Sequence, residues 1–217
     1  GGISMNVLKK ALVLGAVGAM LAIPGYAKVV TGSQSDANLD LKYPLVYTDS
    51  AYAQQAINTD IANYVLQAKD MYYNKHVYQV AQSYKVTYED SQVVSILLTT
   101  YYYNAGAVHG MYKTKGLVYD KITGQRVPLY NYIKIANADQ LQVGVLSGVL
   151  SFYNEAHKKV DLPRGWRVTY ASDNYCLRGK GNIDLVYQPY QLGPFSYGTT
   201  YIGFNPSAIE YFNRMNS

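Results

Sequence analysis

The run Val93–Tyr103 constrains the fold more than any other part of this chain. Val94, Ile96, Leu98, Thr100 and Tyr102 alternate there with Ser95, Leu97, Thr99 and Tyr101, so a strand would be apolar on both faces. Such a strand belongs in the middle of a sheet, covered on either side. Residues 77–89 form a second β-type run, joined to the first by the turn Asp90-Ser91-Gln92. Upstream, Lys42-Tyr43-Pro44-Leu45-Val46-Tyr47 predicts a short edge strand, because Pro44 has no N–H for a ladder. Behind the candidate caps Asp49 and Ser50, Ile57, Ile61, Tyr64, Val65, Ala68 and Tyr72 recur at helical spacing and predict a helix over 51–73.

The second half alternates in the same way. Residues 114–119 read as a strand, followed by the turn Asp120-Lys121-Ile122-Thr123-Gly124. A second long helix is predicted over 137–157, with Leu141, Val145, Val149 and Phe152 as its stripe. Gly144 and Gly148 would let it pack close to a sheet. Short strands are expected at 167–170, 175–178, 183–187 and 199–204, with a closing helical turn over 206–212. Strands in pairs with two long helices packed on them predict an α+β fold with a mainly antiparallel sheet. Residues 28–41, rich in Ser, Gln, Asp and Asn, read as a flexible leader. Residues 42–217 read as one domain with subregions at about 42–90 and 91–217.

The beginning of the chain indicates export. Met5, Lys9 and Lys10, the apolar residues 11–23 and Pro24-Gly25-Tyr26-Ala27 have the layout of a signal peptide cleaved after Ala27. Residues 1–4 then read as sequence translated upstream of the true start, Met5. The apolar stretch is shorter than the roughly 20 residues a membrane span needs. Cleavage would leave no membrane anchor and a secreted or periplasmic protein. It removes two lysines and no acid, taking the net charge from +5 to +3. That balance excludes a strongly basic nucleic-acid binder. The only cysteine, Cys176, leaves an exported chain without an internal disulfide, so core packing must hold it together; 49% hydrophobic residues allow that.

Tyrosine dominates the aromatic residues: 25, against four phenylalanines and one tryptophan. Tyrosine suits half-buried sheet faces, and it is also enriched in contact surfaces for proteins and sugars.

Several motifs follow in order: Tyr43-Pro44; Ile57-Asn58; Ser95-Ile96 leading to Tyr101-Tyr102-Tyr103; a small-residue loop ending His109-Gly110; Tyr119-Asp120 with Thr123-Gly124-Gln125; and Tyr187 with Pro189-Tyr190-Gln191-Leu192-Gly193-Pro194-Phe195 and Gly198. Together they resemble the extracytoplasmic domain family found in the anti-sigma factor RsiV and beside the catalytic domain of the peptidoglycan deacetylase PdaC. The resemblance spans residues 43–212. Two positions depart from the family pattern: Val108 is inserted before His109, and Gln191 stands where a glutamate is usual. The chain carries neither a deacetylase module nor an anti-sigma segment. The resemblance therefore implies an α+β cell-envelope module, with lysozyme binding or cell-wall association as its lead, and transfers no enzymatic activity.

No catalytic signature stands out. His76, His109 and His157 share no helical metal-ligand spacing, and the Gly-x-Ser-x-Gly elbow is absent. Cys176 sits in an apolar strand, where a cysteine is a small buried hydrophobe. Gly179-Lys180-Gly181-Asn182 reads as a hairpin turn, lacking the spacing of a phosphate loop. No catalytic residue, metal ligand or cofactor is assigned. The binding candidates are His109 and Gly110 in the first loop and Tyr190, Gly193, Pro194, Phe195 and Tyr197 in the last, with two prolines and two glycines stiffening the latter. Lys158, Lys159, Arg164 and Arg167 form a basic cluster that suits an acidic wall polymer better than a basic lysozyme.

The expectation is a secreted, non-catalytic binding module contacting a lysozyme-like protein or peptidoglycan, without nucleic acid. The alternatives are a cell-wall hydrolase using His109 with an acid such as Asp120, or an accessory factor for another exported protein.

Overall fold

The computed structural model describes residues 29–217; the signal peptide expected over 1–27, and residues 1–4 within it, lie outside the described residues. Strands β1 (Val29–Asp36) and β2 (Leu39–Val46) form a hairpin in full register, Val29 opposite Val46 and Asp36 opposite Leu39. The segment expected to be a flexible leader is therefore sheet. Its side chains are polar because β1 is an edge strand: the backbone ladder pairs it, and little of it needs to be buried. Gly32 admits the Tyr43 ring, which lies 2.4 Å from where a Cβ would stand.

Helix α1 (Ala51–Tyr73) follows, as the spacing predicts, capped by Ser50 Oγ accepting from Ala53 N at 3.2 Å. It crosses back to β3 (Gln79–Glu89), which pairs parallel with β2 only at Leu39–Leu41. β2 is thus interior to the sheet, contrary to the edge expected from Pro44. The proline is tolerated because beyond Leu41 that side of β2 has no strand partner. The N–H of Val46, two residues on and facing the same way, is met by the Asn58 side chain at 2.8 Å, and Asn58 Nδ2 returns a bond to Val46 O at 2.8 Å.

β4 (Val93–Tyr103) and β5 (Met111–Asp120) complete a five-stranded sheet ordered β1-β2-β3-β4-β5. The boundary expected near residue 90 falls at the turn of the β3–β4 hairpin. The turn after β5 locks onto α1: Asp120 Oδ1 accepts from Ile122 N and Thr123 N at 2.7 and 2.9 Å, and Gly124, at φ +77°, lies against Ala53.

The chain then forms α2 (Ala138–Leu146), β6 (Ser151–Tyr153), β7 (Tyr175–Gly179), β8 (Asn182–Tyr187), β9 (Thr200–Phe204) and α3 (Pro206–Met215). The second sheet is ordered β6-β9-β8-β7 and fully antiparallel. The long second helix expected over 137–157 is corrected to nine residues. Gly148 takes φ +79° just past the cap Ser147, and Leu150 N bonds back to Gly144 O at 2.9 Å, so the glycine ends the helix and Phe152 moves into a strand. The strand expected at 167–170 is irregular chain.

Among the described residues the result is α+β, nine strands and three helices. β4 is buried on both faces as its sequence requires. Val94, Ile96 and Leu98 pack with Ile57 and Ile61 of α1; Leu97 meets Cys176, Val186 and Tyr201 of the second sheet. The far face of the second sheet buries Leu141 and Val145 of α2 and Ala208 and Phe212 of α3.

Candidate functional site

Two loops carry the candidate residues. The first, residues 104–110, joins β4 to β5. Tyr103 Oη donates to Ala107 O at 3.1 Å, and Gly110 lies so close to the Tyr101 ring that a Cβ would stand 2.2 Å from its hydroxyl. The second, residues 188–198, joins β8 to β9. Gln191 Oε1 accepts from Gln188 N at 2.7 Å and from Tyr170 Oη at 2.6 Å, closing its base. Tyr190 is held at φ 72°, a left-handed conformation uncommon for a bulky residue. Gly198, at φ +65°, lets Tyr112 and Glu155 come close, since a Cβ there would lie within 2.7 Å of both side chains.

These loops, distant in sequence, meet on the surface. The His109 ring stacks on Phe195 with centroids 4.2 Å apart and planes 19° from parallel. Phe195 in turn stacks on Tyr190 at 5.3 Å and meets Tyr112 edge-on at 6.1 Å. His109 Nδ1 faces the Gly110 carbonyl at 2.8 Å, so Nδ1 carries the proton; Nε2 then accepts from Tyr190 Oη at 3.2 Å. His109 and Tyr190 are exposed and Phe195 is half-buried. Tyr101, the direct cross-strand partner of Tyr112, extends the aromatic surface over the first sheet. Beside Phe195, Tyr112 donates to Glu155 Oε2 at 3.1 Å; burial, then the Glu155 charge, pushes its phenol up to about 12.

His109, Tyr190 and Phe195 thus converge. Gly110 lies against the Tyr101 ring and offers its carbonyl to His109 Nδ1, and Pro194 opens the short helical turn Phe195–Tyr197. Gly193 makes room for the Tyr197 ring, 2.6 Å from where its Cβ would be. Tyr197 points to the other side of the loop, near Phe152, with its hydroxyl donating to Asp161 O at 3.0 Å.

Two amides that sequence reasoning missed hold the loops together. The free edge of β5 would expose unpaired backbone groups; Asn174 and Gln188 pair them with side chains instead. Gly116 N donates to Asn174 Oδ1 at 2.7 Å, Thr114 N donates to Gln188 Oε1 at 2.8 Å, and both amide nitrogens donate to Thr114 O. Gln188 begins the second loop, so the bonds that seal β5 also fix the patch. A lone Asn or Gln carries no pattern that would have revealed this.

The acid–base pair considered for His109 and Asp120 does not form. They lie at opposite ends of β5, roughly 30 Å apart at the usual strand rise, and Asp120 caps its own turn. The histidine that does meet a carboxylate is His157: its Nε2 lies 2.7 Å from Oδ2 of the buried Asp184, which also accepts from Arg178 Nε at 2.7 Å. Tyr153 stacks on His157 at 4.2 Å and Arg178 covers the Tyr201 ring at 4.8 Å. A buried carboxylate with two charged or polar donors is a satisfied structural group. Cys176 beside it is fully buried, and burial pushes its thiol up to about 12, the reverse of a nucleophile's need. Among the described residues no three His, Cys, Asp or Glu side chains gather as a metal cage.

No family model matches the sequence, and no curated protein does. Solved structures do match. A DUF3298 family protein from Pseudomonas aeruginosa PAO1 superposes with a TM-score of 0.58 at 12% identity, over 87% of this chain and 94% of that one. A DUF3298 member from Bacteroides fragilis gives 0.57 at 13% identity, over 86% and 92%. This chain has their fold. At such identity the likeness is one of fold alone, and these neighbours belong to a domain family without an assigned function.

Proposed function

We propose that this protein is a non-catalytic binding module of the bacterial cell envelope, and that its contact surface is the His109–Phe195–Tyr190 stack. The observation that carries the reading is that stack. Two stiff loops bring three rings together at the surface, and their imidazole and phenol groups bond to each other and to the backbone. Flat, preorganised rings with polar rims suit the faces of sugar rings, so a wall glycan is the favoured ligand. The motifs shared with the RsiV and PdaC extracytoplasmic domain support the envelope setting, as does the signal-peptide layout of the first 27 residues.

The test is retention of the folded chain on purified peptidoglycan and, separately, on immobilised lysozyme. Peptidoglycan should retain it, and Phe195→Ala should release it with its circular dichroism unchanged. No retention of the folded wild-type chain on peptidoglycan would overturn the glycan reading; retention on lysozyme alone would make the ligand a protein.

A further inference from the structure

We propose that the groove behind the Tyr190 loop is a subsite for sugar rings that bear carboxylate groups; this rests on the reading of the aromatic patch as a glycan-binding surface. The groove, about 650 Å³, runs between the 161–167 segment and the 190–197 loop, and Tyr190 belongs to both groove and patch. Trp166, Tyr190 and Tyr197 supply its rings. Its width is fixed from beneath. Trp166 packs on Phe152 at 5.2 Å, Phe152 on Tyr197 at 6.4 Å, and Tyr197 Oη ties the two walls together through Asp161 O. Gln142 of α2 clamps the far wall, donating to Trp166 O at 3.1 Å and accepting from Val168 N at 2.7 Å. A site built in advance loses little ordering entropy when it is filled.

The charge in the groove indicates the ligand. Arg164 forms no ion pair or hydrogen bond among the described residues. Arg167 reaches only Asp139, at 4.0 Å, with side chains 71% and 81% exposed, a contact worth little in water. At the lip, then, the Arg164 fork stands free and the Arg167 fork is held only by one exposed acid, with Asp161 as the one acid in the lining and Lys158 and Lys159 just upstream. An arginine fork matches a carboxylate bidentately, and aromatic faces pack against the C–H faces of pyranose rings. A groove for an amphipathic helix would need open aliphatic pockets; here Leu192 is buried and Leu162 half-buried.

Calorimetry with two probes of equal length tests this: chitohexaose, which is neutral, and a hyaluronan hexasaccharide, in which every second ring carries a carboxylate. The hyaluronan hexasaccharide should bind about tenfold more tightly, the worth of one charge-assisted contact at an exposed site, and the advantage should shrink as salt is added. The double substitution Arg164→Gln with Arg167→Gln, on exposed chain, should abolish the preference and leave chitohexaose affinity within about twofold of wild type. Equal affinity for the two probes, or a preference that survives the double substitution, would overturn the carboxylate subsite while leaving the aromatic patch standing. Binding of neither probe would overturn both.

Discussion

His109 Nε2 and the hydroxyl of Tyr190 meet at 3.2 Å across 81 residues of sequence, the one hydrogen bond that joins the tips of the two surface loops. Tyr190 reaches this position only by adopting φ 72°, which costs a residue with a Cβ about 1–2 kcal/mol. The residue is 56% exposed, so packing returns little of that cost. A conformation held against its own preference, with the ring facing solvent, fits a residue kept for contact. Tyr190→Gly removes the strain and Tyr190→Ala keeps it. In urea unfolding the glycine variant should be the more stable of the two by roughly 0.5–1 kcal/mol after its greater unfolded-state entropy is counted. Both should lose retention on peptidoglycan. Equal stabilities would mean the backbone is not strained there.

Gln191 departs from the glutamate usual in the resembling family, yet the structure uses only the atom the two residues share. Oε1 accepts from Gln188 N and Tyr170 Oη, while the amide nitrogen has no hydrogen-bond partner among the described residues. Gln191→Glu should therefore be tolerated near neutral pH, changing unfolding free energy by no more than about 0.5 kcal/mol and raising it if the charge strengthens both bonds. Gln191→Leu, which strands the Gln188 N–H, should cost about 1 kcal/mol. A clear loss on Gln191→Glu would show that the amide N–H matters.

The amides sealing β5 make a sharper prediction. Asn174 accepts from Gly116 N and donates to Thr114 O, and an aspartate can do only the first. Asn174→Asp would set a carboxylate oxygen against a carbonyl and should cost about 2–3 kcal/mol. The edge of β5 would loosen from Gln188, so peptidoglycan retention should weaken although no ring has been touched. Urea midpoints and retention measured on the same preparation would show this. An aspartate variant as stable as wild type would mean the strand edge needs no partner.

Legibility followed physical periodicity. α1 and β4 were readable to the residue because each combines a strong period with a clear boundary, Ser50 for the helix and the Asp90 turn for the strand. β1 was not: from Thr31 to Asp36 its side chains are polar or absent on both faces, so the half-buried positions Gly32 and Gln34 leave no apolar alternation in the sequence. The end of α2 was hidden because the apolar stripe continues through Val149 and Phe152, whereas Gly148, at φ +79°, has already turned the chain. At the site, glycine, proline and aromatic composition mark both loops in the sequence. That His109 would land on Phe195, that Tyr197 would face away into the groove, and that Asn174 and Gln188 would bind the assembly are all products of tertiary packing.

The last prediction concerns alkaline pH. Burial pushes Cys176, Tyr187 and Tyr201 up to about 12, and Tyr112 reaches the same value through burial and Glu155. Tyr119 is likewise pushed up, by burial and then by its bond to Asp60, and Tyr175 chiefly by burial. The ordinary values are 9.0 for cysteine and 10.0 for tyrosine. Between those values and about 12 the unfolded chain gives up protons that the folded chain keeps, so unfolding becomes easier as pH rises. The stability these groups contribute is complete below pH 9 and lost as pH climbs toward 12. Urea midpoints should be flat from pH 7 to 9 and then fall steadily. Part of the tyrosinate absorbance, that of the buried set, should appear only with cooperative unfolding. A single smooth titration of all tyrosines near 10, with the fold intact, would contradict the burial of Tyr119, Tyr187 and Tyr201.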